Sequence, residues 1–380
     1  MKENEGSIFM KIKSSKSNLL SALNIVSKAV STKTTMPILE CILIEVYSDK
    51  IKLTANDLDL GIETILDGDV IEMGKIAIEA KIFMDIIRKL PDSEVFIEST
   101  ADFKTIIRCE KSKFTIPSKS GDDFTELPSI EKEKGITISQ FTIKEIIRQT
   151  IFSISENENN KLMTGELFEV KDGKLTVVSL DGHRISIRNV NINTNIENIK
   201  VVVPGKTLND LSKIIPGGVE DNVNIYFSDR HILFEFDKTL VVSRLIEGEY
   251  FKIIQMLSMD HKIKMNINNK EFLNCIDRAS LLIKESDKKP IIMNIKNDNI
   301  MYLKVDTLMG SMNEEIEINK DGDELIIGFN PRFLMDVLRV IDDEDINVYM
   351  RDEKSPCIIK NDEEDYIYVI LPVNINTEAY

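Results

Sequence analysis

A ten-residue pattern occurs three times in this chain and leaves few folds open to it. Lys81–Leu90 reads KIFMDIIRKL, Lys206–Ile215 reads KTLNDLSKII and Arg332–Ile341 reads RFLMDVLRVI. Each has a base, an Asp four residues on, and a second base three residues later. At 3.6 residues per turn these positions share one helix face. Lys81/Asp85/Arg88, Lys206/Asp210/Lys213 and Arg332/Asp336/Arg339 therefore form polar stripes, with Phe83, Ile86, Ile87 and Leu90 making the apolar stripe behind the first. One such helix would be ordinary, because opposite charges often share the wet side of an amphipathic helix. Three copies beginning 125 and 126 positions apart in 380 residues point to an internal repeat of domain size. Strand-like runs precede them (75–80, 199–203, 324–328) and follow them (94–98, 223–227, 346–350), so the context repeats as well.

A second helix opens each repeat, at 15–33, 139–152 and 270–283, followed by strands, among them 38–47, 51–55, 60–65, 166–170, 174–180 and 184–190. Asp172-Gly173 is a hairpin turn, since both residues tolerate positive φ. The reading is helix, strands, helix, strands in each repeat. It predicts an α+β fold of three similar domains, each with two helices packed on antiparallel sheets. The boundaries are 10–133, 134–260 and 261–380, after an extension 1–9 expected to be disordered. The closing segment 366–373, YIYVILPV, is more apolar than an exposed edge strand permits, so something covers it or it borders a groove.

With 64 acidic and 48 basic residues the net charge is −16, which taken alone disfavours a nucleic-acid partner. The distribution reverses that inference. The six helical segments together carry about +8, leaving about −24 for the remainder. Lys28, Lys81, Arg88, Lys144, Arg148, Lys206, Lys213, Arg332 and Arg339 thus give the helices basic faces suited to a polyanion. If the helices lie on one side of curved sheets, those faces line a concave surface. The four cysteines are isolated in apolar runs without C-x-x-C spacing, as expected of buried thiols in a reducing cytoplasm. No secretory leader is expected, and no apolar run reaches transmembrane length.

The one constellation that resembles an active centre is Asp181-Gly182-His183-Arg184. Nucleophilic catalysis needs a Ser or Cys held by a base, and no nucleophile elbow, phosphate loop or dinucleotide fingerprint is present. A structural turn, a binding rim and the centre of a hydrolase or transferase all remain open readings of these four residues. His231 and His261 have no metal-ligand spacing with His183. The acidic runs 342–345 and 362–365 lack the calcium-loop pattern and read as solvated loops. No metal and no cofactor is expected.

Taken together and in order, several segments resemble the bacterial sliding clamp family, the beta subunit of DNA polymerase III, over residues 10–373. They are TTMPIL (34–39), TANDLDLGIE (54–63), RKLP (88–91), DGHRI (181–185), Gly328–Asn330 with Phe333–Leu338, and VILPV (369–373). The resemblance implies a ring-shaped head-to-tail homodimer that encircles duplex DNA without catalysis of its own. It implies as partners the replicative polymerase alpha subunit, a clamp loader and other clients carrying a clamp-binding motif, with no membrane. It also implies a peptide groove between the second and third domains. Met163, Leu180, Gly182, His183, Arg184 and Ile185 would form one side and Phe251, Gln255 and Met256 another. Asn330, Phe333, Pro356, Val369, Ile370, Leu371, Pro372 and Val373 would complete it. Three positions depart from the family pattern: Leu180 stands where Thr is usual, Phe251 where Pro is expected and Gln255 where a base is frequent. Lys33 matches the family's basic DNA-contacting loop. The dimer seam would pair Lys111, Lys113, Phe114 and Ile116 with the partner's Leu281, Leu282, Glu314, Glu315 and Glu317.

Overall fold

The computed structural model describes residues 8–157, 159–194, 196, 198–253, 260–284 and 289–375. Each repeat consists of two halves, and each half is a strand, a helix and three more strands. The first repeat has β1 (Ile8–Ser15), α1 (Lys16–Val26), β2 (Cys41–Val46), β3 (Ile51–Asn56), β4 (Leu60–Leu66) and the short β5 (Asp69–Glu72). Its second half has β6 (Gly74–Glu79), α2 (Ala80–Lys89), β7 (Glu94–Thr100), β8 (Lys104–Cys109), β9 (Ser112–Pro117) and the short β10 (Lys119–Ser120). The second repeat has β11 (Gly135–Ser139), α3 (Gln140–Thr150), β12 (Gly165–Lys171), β13 (Lys174–Leu180) and β14 (Arg184–Asn191). It continues with β15 (Ile199–Pro204), α4 (Gly205–Ile214), β16 (Asn222–Phe227), β17 (His231–Phe236) and β18 (Thr239–Arg244). The third has β19 (Ile263–Asn268), α5 (Asn269–Ser280), β20 (Ile291–Ile295), β21 (Ile300–Thr307), β22 (Gly310–Glu317) and the short β23 (Asn319–Gly322). It closes with β24 (Leu325–Phe329), α6 (Pro331–Leu338), β25 (Asp345–Met350), β26 (Cys357–Lys360) and β27 (Tyr366–Ile370).

The strand that leads each half does not stay with it. β1 pairs with β7 and β6 with β2, so each leading strand lies in the sheet of the other half; β11 with β16, β15 with β12, β19 with β25 and β24 with β20 repeat the exchange. The exchanged leading strands thereby tie the two halves of a repeat together by backbone hydrogen bonds.

The described residues divide into two compact units, Met1–Ile143 with Asn209–Leu245, and Lys144–Leu208 with Ile246–Tyr380. Each holds one nine-stranded sheet and one smaller sheet. In the first, the order β10-β6-β2-β3-β4-β18-β17-β16-β11 accompanies β5-β1-β7-β8-β9; in the second, β15-β12-β13-β14-β27-β26-β25-β19-β23 accompanies β22-β21-β20-β24. The nine-stranded sheets run across repeat borders through β4·β18 and β14·β27. Both junctions obey one rule: leaving aside the short β5, β10 and β23, the last strand of a first half pairs antiparallel with the last strand of the next repeat's second half. By that rule β22 and β9 are left over, and each forms the outer strand of its sheet among the described residues.

Sequence reading found the helix of the second half in every repeat but missed β1, β11 and β19, the leading strands of the first halves. Ile8 and Phe9, expected in a disordered extension, belong to β1, where Ile8 pairs with Thr100; residues 1–7 lie outside the described residues. The first helix, expected over 15–33, starts after Ser15, whose hydroxyl accepts the Asn18 N–H at 3.2 Å, and ends at Val26 before a 3-10 turn, Ser27–Ala29. Residues 38–40, expected in a strand, form the 3-10 turn Pro37–Glu40, because Pro37 has no N–H for a ladder and suits the first turn of a helix. The segment 366–370 is apolar for a simpler reason than a cover: β27 is an interior strand between β14 and β26. Asp172 and Gly173 both have positive φ, as the hairpin requires.

In the third repeat one continuous core joins α5 (Phe272, Cys275, Ile276), α6 (Leu334, Val337, Leu338) and strands of both sheets of the second unit. All four cysteines are buried and free, and burial pushes the Cys275 and Cys357 thiols up to about 12, so they are inert side chains of the core. No helix of the described residues is long and apolar enough to cross a membrane.

Candidate functional site

β13 and β14 end as a pair at Leu180 and Ile185, and the residues between them form a tight turn. Asp181 sets it: its Oδ1 accepts the N–H groups of His183 (2.9 Å) and Arg184 (3.1 Å), while Gly182 takes φ +88°, where a Cβ would be strained. Leu371 then donates its N–H to the His183 carbonyl at 2.9 Å, fastening the segment after β27 to the turn. A cavity of about 250 Å³ opens beside this junction. Its walls are Leu180, Gly182, His183, Arg184 and Ile185 from the hairpin, Val369 and Leu371 from the closing segment, Met163 from the 3-10 turn Lys161–Thr164, and Phe251, Lys252 and Ile253. Leu180, Ile185 and Val369 are buried and form one cluster with Tyr250. Among the described residues the lining has no Ser, Thr, Cys or carboxylate, and Asp181 addresses backbone N–H groups and Arg184.

Arg184 is 7% exposed and fully engaged. Its Nε meets Asp181 Oδ2 at 3.0 Å, its Nη1 meets Asp336 Oδ2 at 2.6 Å and its Nη2 donates to the Phe152 carbonyl at 2.5 Å. The Phe333 ring lies 4.6 Å from its Cζ and stacks on the His183 ring at 5.8 Å. The groups that hold its guanidinium, Asp181, Asp336, Phe152 and Phe333, are not among the residues that line the cavity.

Below the hairpin lies a carboxyl that no sequence signal revealed. Glu166 is fully buried, and burial raises its pKa to about 8. The Thr150 hydroxyl, 2.7 Å from the Ile146 carbonyl, also donates to Glu166 Oε2 at 3.1 Å, which favours the carboxylate but is outweighed by burial. Burial thus favours the protonated carboxyl of Glu166.

The other residues proposed from the sequence are dispersed around this cavity or away from it. Asn330 caps α6, accepting the Arg332 N–H at 3.0 Å. Ile370 and Pro356 are buried rather than lining. Pro372 and Val373 are half-buried, with the Val373 N–H on the Gly328 carbonyl at 2.8 Å. Gln255 and Met256 lie outside the described residues. Lys252 and Ile253 were missed, although they directly follow Phe251.

Lys33, Lys81, Arg88, Lys206, Lys213, Arg332 and Arg339 are exposed, whereas Lys28 and Lys144 are half-buried. Arg88 and Lys213 pair loosely with Asp85 (3.7 Å) and Asp210 (3.4 Å), weak surface contacts. Arg148 is different: Glu145 (2.5 Å) and Asp342 (2.6 Å) hold it from two sides, so its charge is already compensated. On β9 and the turn before it, Lys111, Lys113 and Phe114 are partly or fully exposed and Ile116 is buried. Leu281, just past α5, is 76% exposed, while Leu282 packs against the third-repeat core. Glu315 and Glu317 are exposed on β22, but Glu314 is paired with Arg278 of its own chain.

Known proteins repeat this architecture along its whole length. Residues 10–128, 137–252 and 255–374 match the N-terminal, central and C-terminal domains of the DNA polymerase III beta subunit. The beta sliding clamp of Staphylococcus epidermidis is 32% identical over 364 residues, 93% of this chain and 96% of that protein. The chain belongs to the beta sliding clamp family. Among solved structures, the DNA polymerase sliding clamp of Bacillus subtilis superimposes with a TM-score of 0.94 at 32% identity, covering 97% of this chain and all of that one. A structure from Eubacterium rectale assigned to the DNA polymerase III beta subunit has a TM-score of 0.93 at 61% identity, with the same coverage. As a sliding clamp the chain is a processivity factor and not an enzyme, and the hydrolase or transferase reading of 181–184 is not supported.

Proposed function

We propose that two copies of this chain join head to tail into a ring around duplex DNA and tether the replicative polymerase and other clients through the cavity beside Asp181–Arg184. The observation that carries the ring is the pairing rule. β4·β18 and β14·β27 are two of three equivalent junctions, and the strands left over, β9 and β22, are the right pair for a third junction with another copy. Their charges are complementary, Lys111 and Lys113 against Glu315 and Glu317, and pairing would remove two unprotected sheet edges. The domains are 10–133, 134–260 and 261–380, and the ring works in the cytoplasm, where a clamp loader opens and closes it. The exposed bases of α2, α4 and α6 and Lys33 would face the phosphates without reading sequence.

The topological test separates encirclement from adhesion. Phosphate attraction weakens steeply with salt, by roughly 0.9 in log–log slope per phosphate neutralised, but a closed ring cannot leave a circle by that route. The loaded clamp should stay on closed circular DNA at salt that frees it from linear DNA of the same length. Equal loss from both would overturn the ring.

The cavity suits a short peptide with Leu- or Phe-sized anchors, each contributing about 1.5–3 kcal/mol on burial. After the ordering cost of a flexible peptide, affinity should be roughly micromolar, which lets clients exchange on one ring. Replacing Leu371 and Phe251 with Ser should weaken a synthetic Gln-, Leu- and Phe-containing peptide at least about tenfold in calorimetry while the dimer persists. Unchanged affinity would move the client site elsewhere.

A further inference from the structure

The three repeated helices use their central aspartate differently. Asp85 and Asp210 each pair with the base one turn along the same helix, Arg88 at 3.7 Å and Lys213 at 3.4 Å. The same spacing would join Asp336 to Arg339. Instead Arg339 turns to Asp277 at 3.4 Å, and Asp336 reaches Arg184 at 2.6 Å. Phe333, three residues earlier on the same face of α6, supports both Arg184 and His183 with its ring. One helix face of the third repeat thus holds the turn that forms a wall of the cavity.

We propose that Asp336 is a positioning residue for client binding: by holding Arg184 it keeps the guanidinium out of the cavity, so that the groove presents an apolar wall and selects uncharged anchors. The inference rests on the groove reading above. Arg184 has two carboxylate partners, and Asp181 is also occupied in capping the turn. Without Asp336 the guanidinium is left with Asp181 and the Phe152 carbonyl, is less firmly held and can reach toward the cavity, and the stacked pair of His183 and Phe333 loosens. Clients then meet a cation where the native groove has hydrocarbon.

The experiment uses the full-length protein and two synthetic peptides, a neutral Gln-, Leu- and Phe-containing one and the same peptide with an Asp in place of its central residue. In Asp336→Asn the neutral peptide should bind about tenfold more weakly, and the preference for it over the acidic peptide should shrink or reverse as Arg184 is freed. Asp336→Glu should restore most of the neutral-peptide affinity. In an Arg184→Met background, adding Asp336→Asn should change affinity by less than about twofold, since the partner through which it acts is gone. A merely structural role would lower the Tm but leave the ratio of the two peptides unmoved, and that result would overturn the proposal. Should Asp336→Asn not fold, Phe333→Leu tests the same support, with about fivefold weaker binding expected and unchanged binding overturning it. If the neutral peptide ignores the Leu371→Ser and Phe251→Ser changes as well, the groove reading itself has failed. If it responds to those but not to Asp336, only the positioning role has.

Discussion

Two oppositely altered chains, each unable to dimerise alone, should form a stable dimer when mixed. In the first, Lys111 and Lys113 at β9 are replaced by Glu; in the second, Glu315 and Glu317 on β22 are replaced by Lys. In a head-to-tail pair every seam joins one β9 to one β22, so either variant alone sets like charges against each other at both seams. Like-charge contacts across an interface cost several kcal/mol, enough to raise the dissociation constant by about 100-fold or more. In the mixture, the acidic β9 meets the basic β22 and the two native edges meet each other, so both seams are again complementary. Sedimentation should show monomers for each variant and a heterodimer of about twice 43.3 kDa for the mixture. Dimers that persist in both variants, or monomers that persist on mixing, would place the seam elsewhere. Glu314 is left out because it pairs with Arg278 in its own chain. Leu281 is a second probe: it is 76% exposed beside this edge, where a partner would bury it, so Leu281→Asp should also give monomers without unfolding.

A second large effect is expected from Glu166. Its folded pKa is raised from 4.5 to about 8 by burial. Between these values the folded chain holds a proton that the unfolded chain has released, so stability falls as pH rises through this window and is level below and above it. Each tenfold difference in proton affinity between the folded and unfolded chains is worth about 1.4 kcal/mol, so the loss across the window is on the order of several kcal/mol. Glu166→Gln keeps the shape and an oxygen that accepts from Thr150 but cannot ionise. Denaturant midpoints measured from pH 5 to 8.5 should therefore decline less in the variant, with the gap widest at the alkaline end. Parallel profiles would mean that Glu166 is not the buried acid responsible. Glu166 lies next to the strands that carry the groove, so client affinity should weaken along the same alkaline limb.

The periodic features were legible in the chain itself. The base–Asp–base stripes lie on α2, α4 and α6 because a helix face is a local property, set by spacing alone. The hairpin at Asp172-Gly173 was legible for the same reason, since two residues that tolerate positive φ determine it. The threefold repeat and the family resemblance then carried the domain plan and the function. The leading strands β1, β11 and β19 were not legible: they are five to eight residues long, and their pairing is with the other half of the repeat, dozens of residues away. The site divided in the same way. Met163, the turn 181–184 and Val369 with Leu371 were named by motif, and their meeting in one cavity follows from the β14·β27 junction. Asp336 looked like its counterparts Asp85 and Asp210, and only tertiary packing turned it from its helical neighbour to Arg184. Glu166 looked like one more carboxylate, and only complete burial made it a neutral acid. Spacing along the chain determines which residues can share a face; which face is buried, and against what charge, is decided by distant strands, because desolvation and Coulomb energy depend on neighbours in space.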